Sequence, residues 1–398
     1  MASSVVELSA ATQLEIARLE NTDLRAQLTA ARSEILNLKK VAGTGAKSSS
    51  ILERCQTTTT KLLEYIDARP DVNGSVLKSN PAEAMQVFDG VDKILLDCDG
   101  VVFSNQTSIP KSPEIIAHFM NSGKEVFFVT NSSHRSRLEM CDKLRKQLNN
   151  PKLQPSQMVP SCYAAASHIK QWLPHNKKVY VIGGQGIVDE LALVGIETVG
   201  GPARVDDKTA LDEDDIEDYV LDKDVACVLI GTCMEVNFRM IAEASMYLEN
   251  KNIALISTNQ DEYDIMPSGR HVPDAGVIVR AVEVASNRKA LNCGKPSDNL
   301  FQLLKREKGV SKDNAVMVGD RINTDIAFGQ MHGLRTVLVL SGCTPAETVL
   351  ECLEGKGQDG IELEHVIPYL GYGLEGEEEN LGRKKRRRLA LSNAAARE

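Results

Sequence analysis

The sequence predicts an α/β protein built on buried parallel strands, with a helical extension ahead of it. Three observations predict this. From Val91 onward, short continuous apolar runs alternate with stretches of helical periodicity, the pattern left by strands covered on both faces. Two of those runs end in carboxylates beside glycine, Asp97-Cys98-Asp99-Gly100 and Gly319-Asp320, as expected at the carboxyl edge of a parallel sheet, where such sheets bind ligands. The first 40 residues are nearly free of Gly and Pro and carry an apolar repeat, so helix is expected there.

Taken in order, the extension has Leu14, Asn21, Leu28 and Ile35 in one register and Ala17, Leu24, Ala31 and Leu38 in the other. That heptad spacing reads as a helix able to form a coiled coil, with Asn21 placed where a buried polar residue fixes register in a homodimer. The other reading is an amphipathic helix packed on its own body. Residues 41–50 form a flexible break, a second helical stretch follows around Ile51–Ala68, and a polar linker runs to about 85. The strands expected beyond it are Ile94–Leu96, Glu125–Thr130, Val179–Ile182, Val225–Ile230, Ala254–Thr258, Ala315–Val318 and Thr336–Leu340. Helices are expected between them, at Pro113–Ser122, Ser136–Leu148, Ser161–Trp172, Phe238–Asn250, Val277–Asn287, Ser297–Lys308 and Thr324–His332.

With 398 residues, 42% hydrophobic and 25% charged, the chain can bury a large core and carry one further domain. A net charge of -9 argues against broad affinity for nucleic acid or membrane. The uninterrupted basic run Arg383–Arg388 is the local exception, readable as a nuclear-localisation signal, a site for an acidic partner, or a solvated tail. Nine scattered cysteines without a Cys-x-x-Cys pair read as reduced thiols, which places the protein in the cytoplasm or the nucleus. No stretch approaches the roughly 18 apolar residues of a membrane span, and no leader pattern stands at the N-terminus.

The chemistry begins after Ile94-Leu95-Leu96. Asp97 and Asp99 lie two positions apart, so period-two geometry sends both from one face of the strand, and Gly100 permits a sharp turn. Two unneutralised charges there would be costly to bury. A hard cation such as Mg²⁺, which takes oxygen ligands and keeps room for water and phosphate, suits the pair; a lone Asp-x-Asp-Gly can also merely cap a turn. Three more segments converge. Thr130-Asn131-Ser132-Ser133 offers hydroxyl, amide and backbone donors at a strand-to-helix junction, fit for a phosphate or for an ordinary helix cap. Lys295, in Gly294-Lys295-Pro296-Ser297, can meet phosphate or hold a nucleophilic carboxylate. Asp320 and Asp325 follow the strand Val316-Met317-Val318, Asp320 as a candidate metal ligand and Asp325 as its support from the helix start. Elsewhere, the acidic stretch Asp212–Asp215 lacks the glycine and distal glutamate of a calcium loop. The run Gly183-Gly184-Gln185-Gly186 admits a nucleotide loop but reads better as a plain strand-to-helix turn.

As an ordered set, Asp97-Cys98-Asp99-Gly100-Val101, Val129-Thr130-Asn131-Ser132, Cys293-Gly294-Lys295-Pro296 and Gly319-Asp320-Arg321-Ile322-Asn323-Thr324-Asp325 resemble the haloacid dehalogenase superfamily. They are most similar to its branch of pyridoxal, phosphoglycolate and p-nitrophenyl phosphatases. The resemblance spans about residues 88 to 350. It implies a Rossmann-like parallel-sheet core with an inserted α/β cap domain. On that basis residues 1–85 are the helical extension and linker, 86–158 the first part of the core, 159–272 the cap, 273–370 the second part of the core, and 371–398 a charged tail.

The resemblance further implies that Asp97 is the nucleophile of an aspartyl-phosphate mechanism and Asp99 the general acid and base. Thr130, Asn131, Ser132 and Lys295 would meet the phosphate. Mg²⁺ would be held by Asp97, the backbone carbonyl of Asp99, and Asp320, with Asp325 behind them. Two departures touch substrate selection: Gly231-Thr232-Cys233 lacks the aspartate usual after that glycine, and Pro273-Asp274-Ala275-Gly276 replaces a Pro-Gly-rich turn. A small-molecule phosphate ester is the expected partner. The competing readings are an interaction protein that recruits partners through its terminal segments, and a protein phosphatase, which a large cap disfavours.

Overall fold

The computed structural model describes residues 46–69, 72–104, 107–204, 216–265, 270–357 and 360–375. The heptad segment, the acidic stretch 212–215 and the basic run 383–388 lie outside the described residues.

Two parallel sheets organise the chain. In sequence order the strands are β1 (Lys93–Leu96), β2 (Glu125–Thr130), β3 (Met158–Pro160), β4 (Lys178–Ile182), β5 (Thr198–Gly200), β6 (Val225–Ile230), β7 (Ala254–Ser257), β8 (Leu291–Asn292), β9 (Ala315–Gly319), β10 (Arg335–Val339) and β11 (His365–Ile367). The first sheet runs β11-β10-β9-β1-β2-β3 and the second β8-β7-β6-β4-β5. The chain therefore leaves the first sheet after β3, builds the whole second sheet, and returns at β9. Two short hairpins, Phe103–Ser104 with Thr107–Ser108 and Tyr263–Ile265 with His271–Pro273, stand outside both sheets.

β1 is central because both of its faces are covered. Ile94 and Leu96 join Ile115, Phe119 and Phe128 on one side, while Leu95 joins Phe127, Leu303 and Phe328 on the other. The second group continues into Val179, Ile187 and Leu229 of the second sheet, so the two sheets share one apolar cluster and dock firmly. Gly186 makes that docking close: a Cβ there would lie 2.6 Å from the backbone of Arg135. The glycine-rich run 183–186 is thus a turn and helix start that permits approach between the sheets.

Two expected boundaries shift. The helix Ala275–Ser286 packs on Phe238–Glu249 and β8 pairs with β7, so the second sheet's unit runs to Asn292, beyond the expected end at 272. At the other end, the helix Ala46–Ala68 is no free extension. Leu62, Leu63 and Ile66 are buried with Ile322, Ile326, Leu338 and Val349. Leu77 bridges to Val366 and the Lys78 N–H donates to the Val366 carbonyl at 2.8 Å, which extends the sheet edge beyond β11. Residues from 46 onward therefore belong to the body of the first sheet.

Because Leu62 is only 1% exposed, Leu62→Ala is expected to lower unfolding free energy by about 2–5 kcal/mol. Urea denaturation measures this; a loss below about 0.5 kcal/mol, the surface range, would mean that the helix is not part of the core.

Candidate functional site

Register places the site. Leu96 lies opposite Val318 of β9 and Phe128 of β2, so Asp97 and Asp320, just past β1 and β9, emerge at the carboxyl edge beside Thr130, the last residue of β2. The Asp97 N–H donates to the Val318 carbonyl at 2.9 Å, which prolongs the β1–β9 ladder to the aspartate itself. After Gly319 the chain enters one π-helical turn, Ile322–Ile326, an irregularity common at functional sites. That turn swings Asp325 back under Asp320.

Carboxylate oxygens of Asp97, Asp320 and Asp325 lie within 4.8 Å of one another, and all three residues are buried. Lys295 reaches them from the loop after β8. Its Nζ is 2.6 Å from Asp97 Oδ1 and 2.7 Å from Asp325 Oδ1, and it donates to the Val129 carbonyl at 2.9 Å. Burial pushes the Asp97 carboxyl well above its ordinary range; Lys295 opposes this, while Asp325 and Asp320 add to it. Asp320 is raised by burial and by Asp325, against the Cys343 N–H that it accepts. Burial alone would lower the Lys295 ammonium, but Asp325 and Asp97 outweigh it and hold the group protonated. Three acids against one ammonium leave excess negative charge in an all-oxygen donor set, which fits a hard divalent cation such as Mg²⁺.

At the end of β2 the Thr130 Oγ1 accepts the Ser132 N–H at 3.1 Å. Thr130 and Ser132 both line the cavity. Asn131 lines the cavity too, and its amide makes a further set of contacts. Its Oδ1 accepts the Lys295 N–H at 2.8 Å, and its Nδ2 donates to both oxygens of Asp261 at 3.1 Å and to the Lys295 carbonyl at 3.2 Å. The amide is thus a clamp that fixes the lysine loop. Asp99 turns its carboxyl, exposed, into the cavity, and the protein mass around it pushes that carboxyl up to about 6, with Lys143 opposing the rise. Asp325 accepts the N–H groups of Asp320 and Arg321 at 3.1 Å each, and it also stands among the clustered carboxylates.

The two sequence departures meet in space, where Asp274 accepts the Thr232 hydroxyl at 2.6 Å and an Asn259 amide N–H at 3.2 Å. Sequence reasoning missed the loop after β10. There the Cys343 N–H donates to Asp320 Oδ2 at 2.7 Å, the Thr344 hydroxyl to the Asp320 carbonyl, and the Ser341 hydroxyl to the Gly100 carbonyl at 2.6 Å. The run Ser341-Gly342-Cys343-Thr344 directly after an apolar strand was the available signal. A Cβ on Gly342 would lie 1.9 Å from Asp320 Oδ2, so only glycine lets the loop close over that aspartate. Gly342→Ala is expected to weaken Mg²⁺ binding about 10- to 100-fold, read by isothermal titration calorimetry with circular dichroism unchanged. Unaltered affinity would show that Asp320 does not depend on this approach.

Two family models match the chain. One, described as haloacid dehalogenase-like hydrolase, covers residues 94–197, and a second, HAD-hydrolase-like, covers 292–370. The first segment carries Asp97, Asp99 and Thr130 to Ser132; the second carries Lys295, Asp320 and Asp325. Phosphoglycolate phosphatase 2 of Arabidopsis thaliana is 34% identical over 267 residues, 67% of this chain and 88% of that protein. Glycerol-3-phosphate phosphatase of Gallus gallus is 34% identical over 268 residues, 67% of this chain and 85% of that protein. Among solved structures, the p-nitrophenyl phosphatase from Archaeoglobus fulgidus superimposes with a TM-score of 0.60 at 27% identity, over 72% of this chain and 99% of that one. On this fold, this ordered set of residues and these relatives, the chain belongs to the haloacid dehalogenase-like hydrolase family, among its phosphatases.

Proposed function

We propose that the protein hydrolyses short phosphomonoesters through a covalent phosphoryl group on Asp97. The observation that carries this reading is the Asp97 carboxylate, aligned 2.6 Å from the Lys295 ammonium in a pocket that also presents Thr130, Asp320 and the open carboxyl of Asp99. Asp97, the Asp99 backbone carbonyl and Asp320 would hold Mg²⁺, which when bound would neutralise developing charge and keep Asp97 ionised.

In the first half-reaction an Asp97 oxygen attacks phosphorus and the bond from phosphorus to the ester oxygen breaks. Asp99 gives its proton to the departing alkoxide, a role suited to a carboxyl near pKa 6. In the second, Asp99 takes a proton from water as that water attacks phosphorus, releasing phosphate and the Asp97 carboxylate. Lys295 and Thr130 hold the non-bridging oxygens, and Asn131 keeps the Lys295 loop in register. The cavity, about 170 Å³, draws walls from both sheets, a size suited to small esters. The relatives named for phosphoglycolate and glycerol 3-phosphate support the same substrate class.

Purified protein is expected to hydrolyse p-nitrophenyl phosphate with Mg²⁺, to lose activity on chelation and to regain it on adding Mg²⁺. Asp97→Asn should lower kcat about 1,000-fold or more; full turnover in that variant would refute the mechanism. Asp99→Asn should release a burst of about one p-nitrophenolate per site and then stall, since this leaving group needs no proton but the water attack needs a base. Steady turnover without a burst would deny Asp99 its second role.

A further inference from the structure

Arg54 lies ahead of the first matched segment, on the helix Ala46–Ala68, yet it lines the same cavity as Asp97 and Lys295. Its position is fixed from below. Ile51 and Cys55, four residues apart on the inner helix face, are buried against Ile109 and Tyr369, which turns the exposed Arg54 toward the loop after β10. There Nη2 donates to the Ser341 carbonyl.

The charge on Arg54 is unmatched. Among the described residues no carboxylate pairs with it, although acids crowd the cavity. Of the other positive groups near these carboxylates, Lys295 is committed to Asp97 and Asp325 and Arg321 to Asp264 at 3.6 Å and to the Tyr263 carbonyl at 3.3 Å, while Lys143, which faces Asp99, lies over the Phe103 ring with its Nζ 3.9 Å from the centroid. One N–H of Arg54 serves Ser341, and among the described residues the remaining donors of its planar fork have no protein acceptor. Such a fork matches a carboxylate in two-point contact. The small cavity keeps any ligand that reaches both Arg54 and Asp97 short.

We propose that Arg54 is a substrate-recognition residue that binds a carboxylate on the alcohol portion of the ester, so that the preferred substrates are short phosphomonoesters bearing a second anionic group. The proposal rests on the phosphatase reading above and names the substrate class of that site.

The test compares phosphoglycolate with 2-hydroxyethyl phosphate, an ester of the same length without the charge, and with 2-aminoethyl phosphate. Wild-type enzyme is expected to prefer phosphoglycolate. Arg54→Gln should raise its KM about 10- to 100-fold, the range for a hydrogen-bonded charge pair, with kcat and the KM for 2-hydroxyethyl phosphate moving less than about threefold, the usual context scatter of a lost neutral contact. Arg54→Glu should make 2-aminoethyl phosphate the best of the three. Equal losses on all three esters would overturn the proposal, because Arg54 would then only support the Ser341 loop or the phosphoryl group. So would unchanged kinetics, or wild-type enzyme without preference for phosphoglycolate. Enzyme that turns over p-nitrophenyl phosphate but none of these short esters overturns the recognition role and leaves the phosphatase reading standing; enzyme that releases phosphate from none of the four removes both.

Discussion

Three carboxylates buried within 4.8 Å of one another are an unstable arrangement unless something opposes their charge, and most of the site follows from opposing it. Lys295 is drawn from the end of the second sheet to lie between Asp97 and Asp325. Asn131 holds both the N–H and the carbonyl of Lys295, so the lysine cannot drift from the acids it neutralises. Backbone N–H groups of Asp320, Arg321 and Cys343 satisfy the outer oxygens. Those contacts leave one side of the cluster open toward the cavity, where a cation would complete the balance.

The parts of this arrangement legible in the sequence are those with a local cause. β1, β2, β6 and β9 show as apolar runs because buried parallel strands need them, and Asp97, Thr130 and Asp320 follow directly as the residues past those runs. Lys295 is readable only because a lysine beside glycine and proline stands just before a helix. Edge strands such as β3, β8 and β11 hold two or three residues each, too few for any periodicity, and Pro160 ends β3 where only an edge tolerates it. The boundary at 273 rested on the resemblance alone, whereas the hydrophobic face of Ala275–Ser286 belongs against Phe238–Glu249. The clamp that Asn131 makes on Asp261 and Lys295 could not be read locally, because both partners are more than a hundred positions away. Gly342 and Arg54 act through approaches between distant segments; the small polar run after β10 hinted at a loop near the site for Gly342, whereas nothing in the neighbourhood of Arg54 announces its place.

The helix Ala46–Ala68 changes how the catalytic body is bounded. It buries the outer side of the π-helical turn through Ile322 and Ile326, the same turn that delivers Asp325. Stability of the extension and geometry of the carboxylate cluster are therefore linked through shared packing, and Arg54 adds a direct route from that helix to the cavity. The two matched segments, 94–197 and 292–370, supply the charge cluster; a helix preceding both shapes one wall of its opening.

The central claim is that Asp97, alone among the clustered acids, carries the phosphoryl group. Acid quench of the enzyme during turnover of p-nitrophenyl phosphate, borohydride reduction of the acyl phosphate and peptide mass spectrometry read this directly. The account predicts conversion of Asp97, and only Asp97, to homoserine. Labelling at Asp99, Asp320 or Asp325, or none at any aspartate while phosphate is being released, would contradict it.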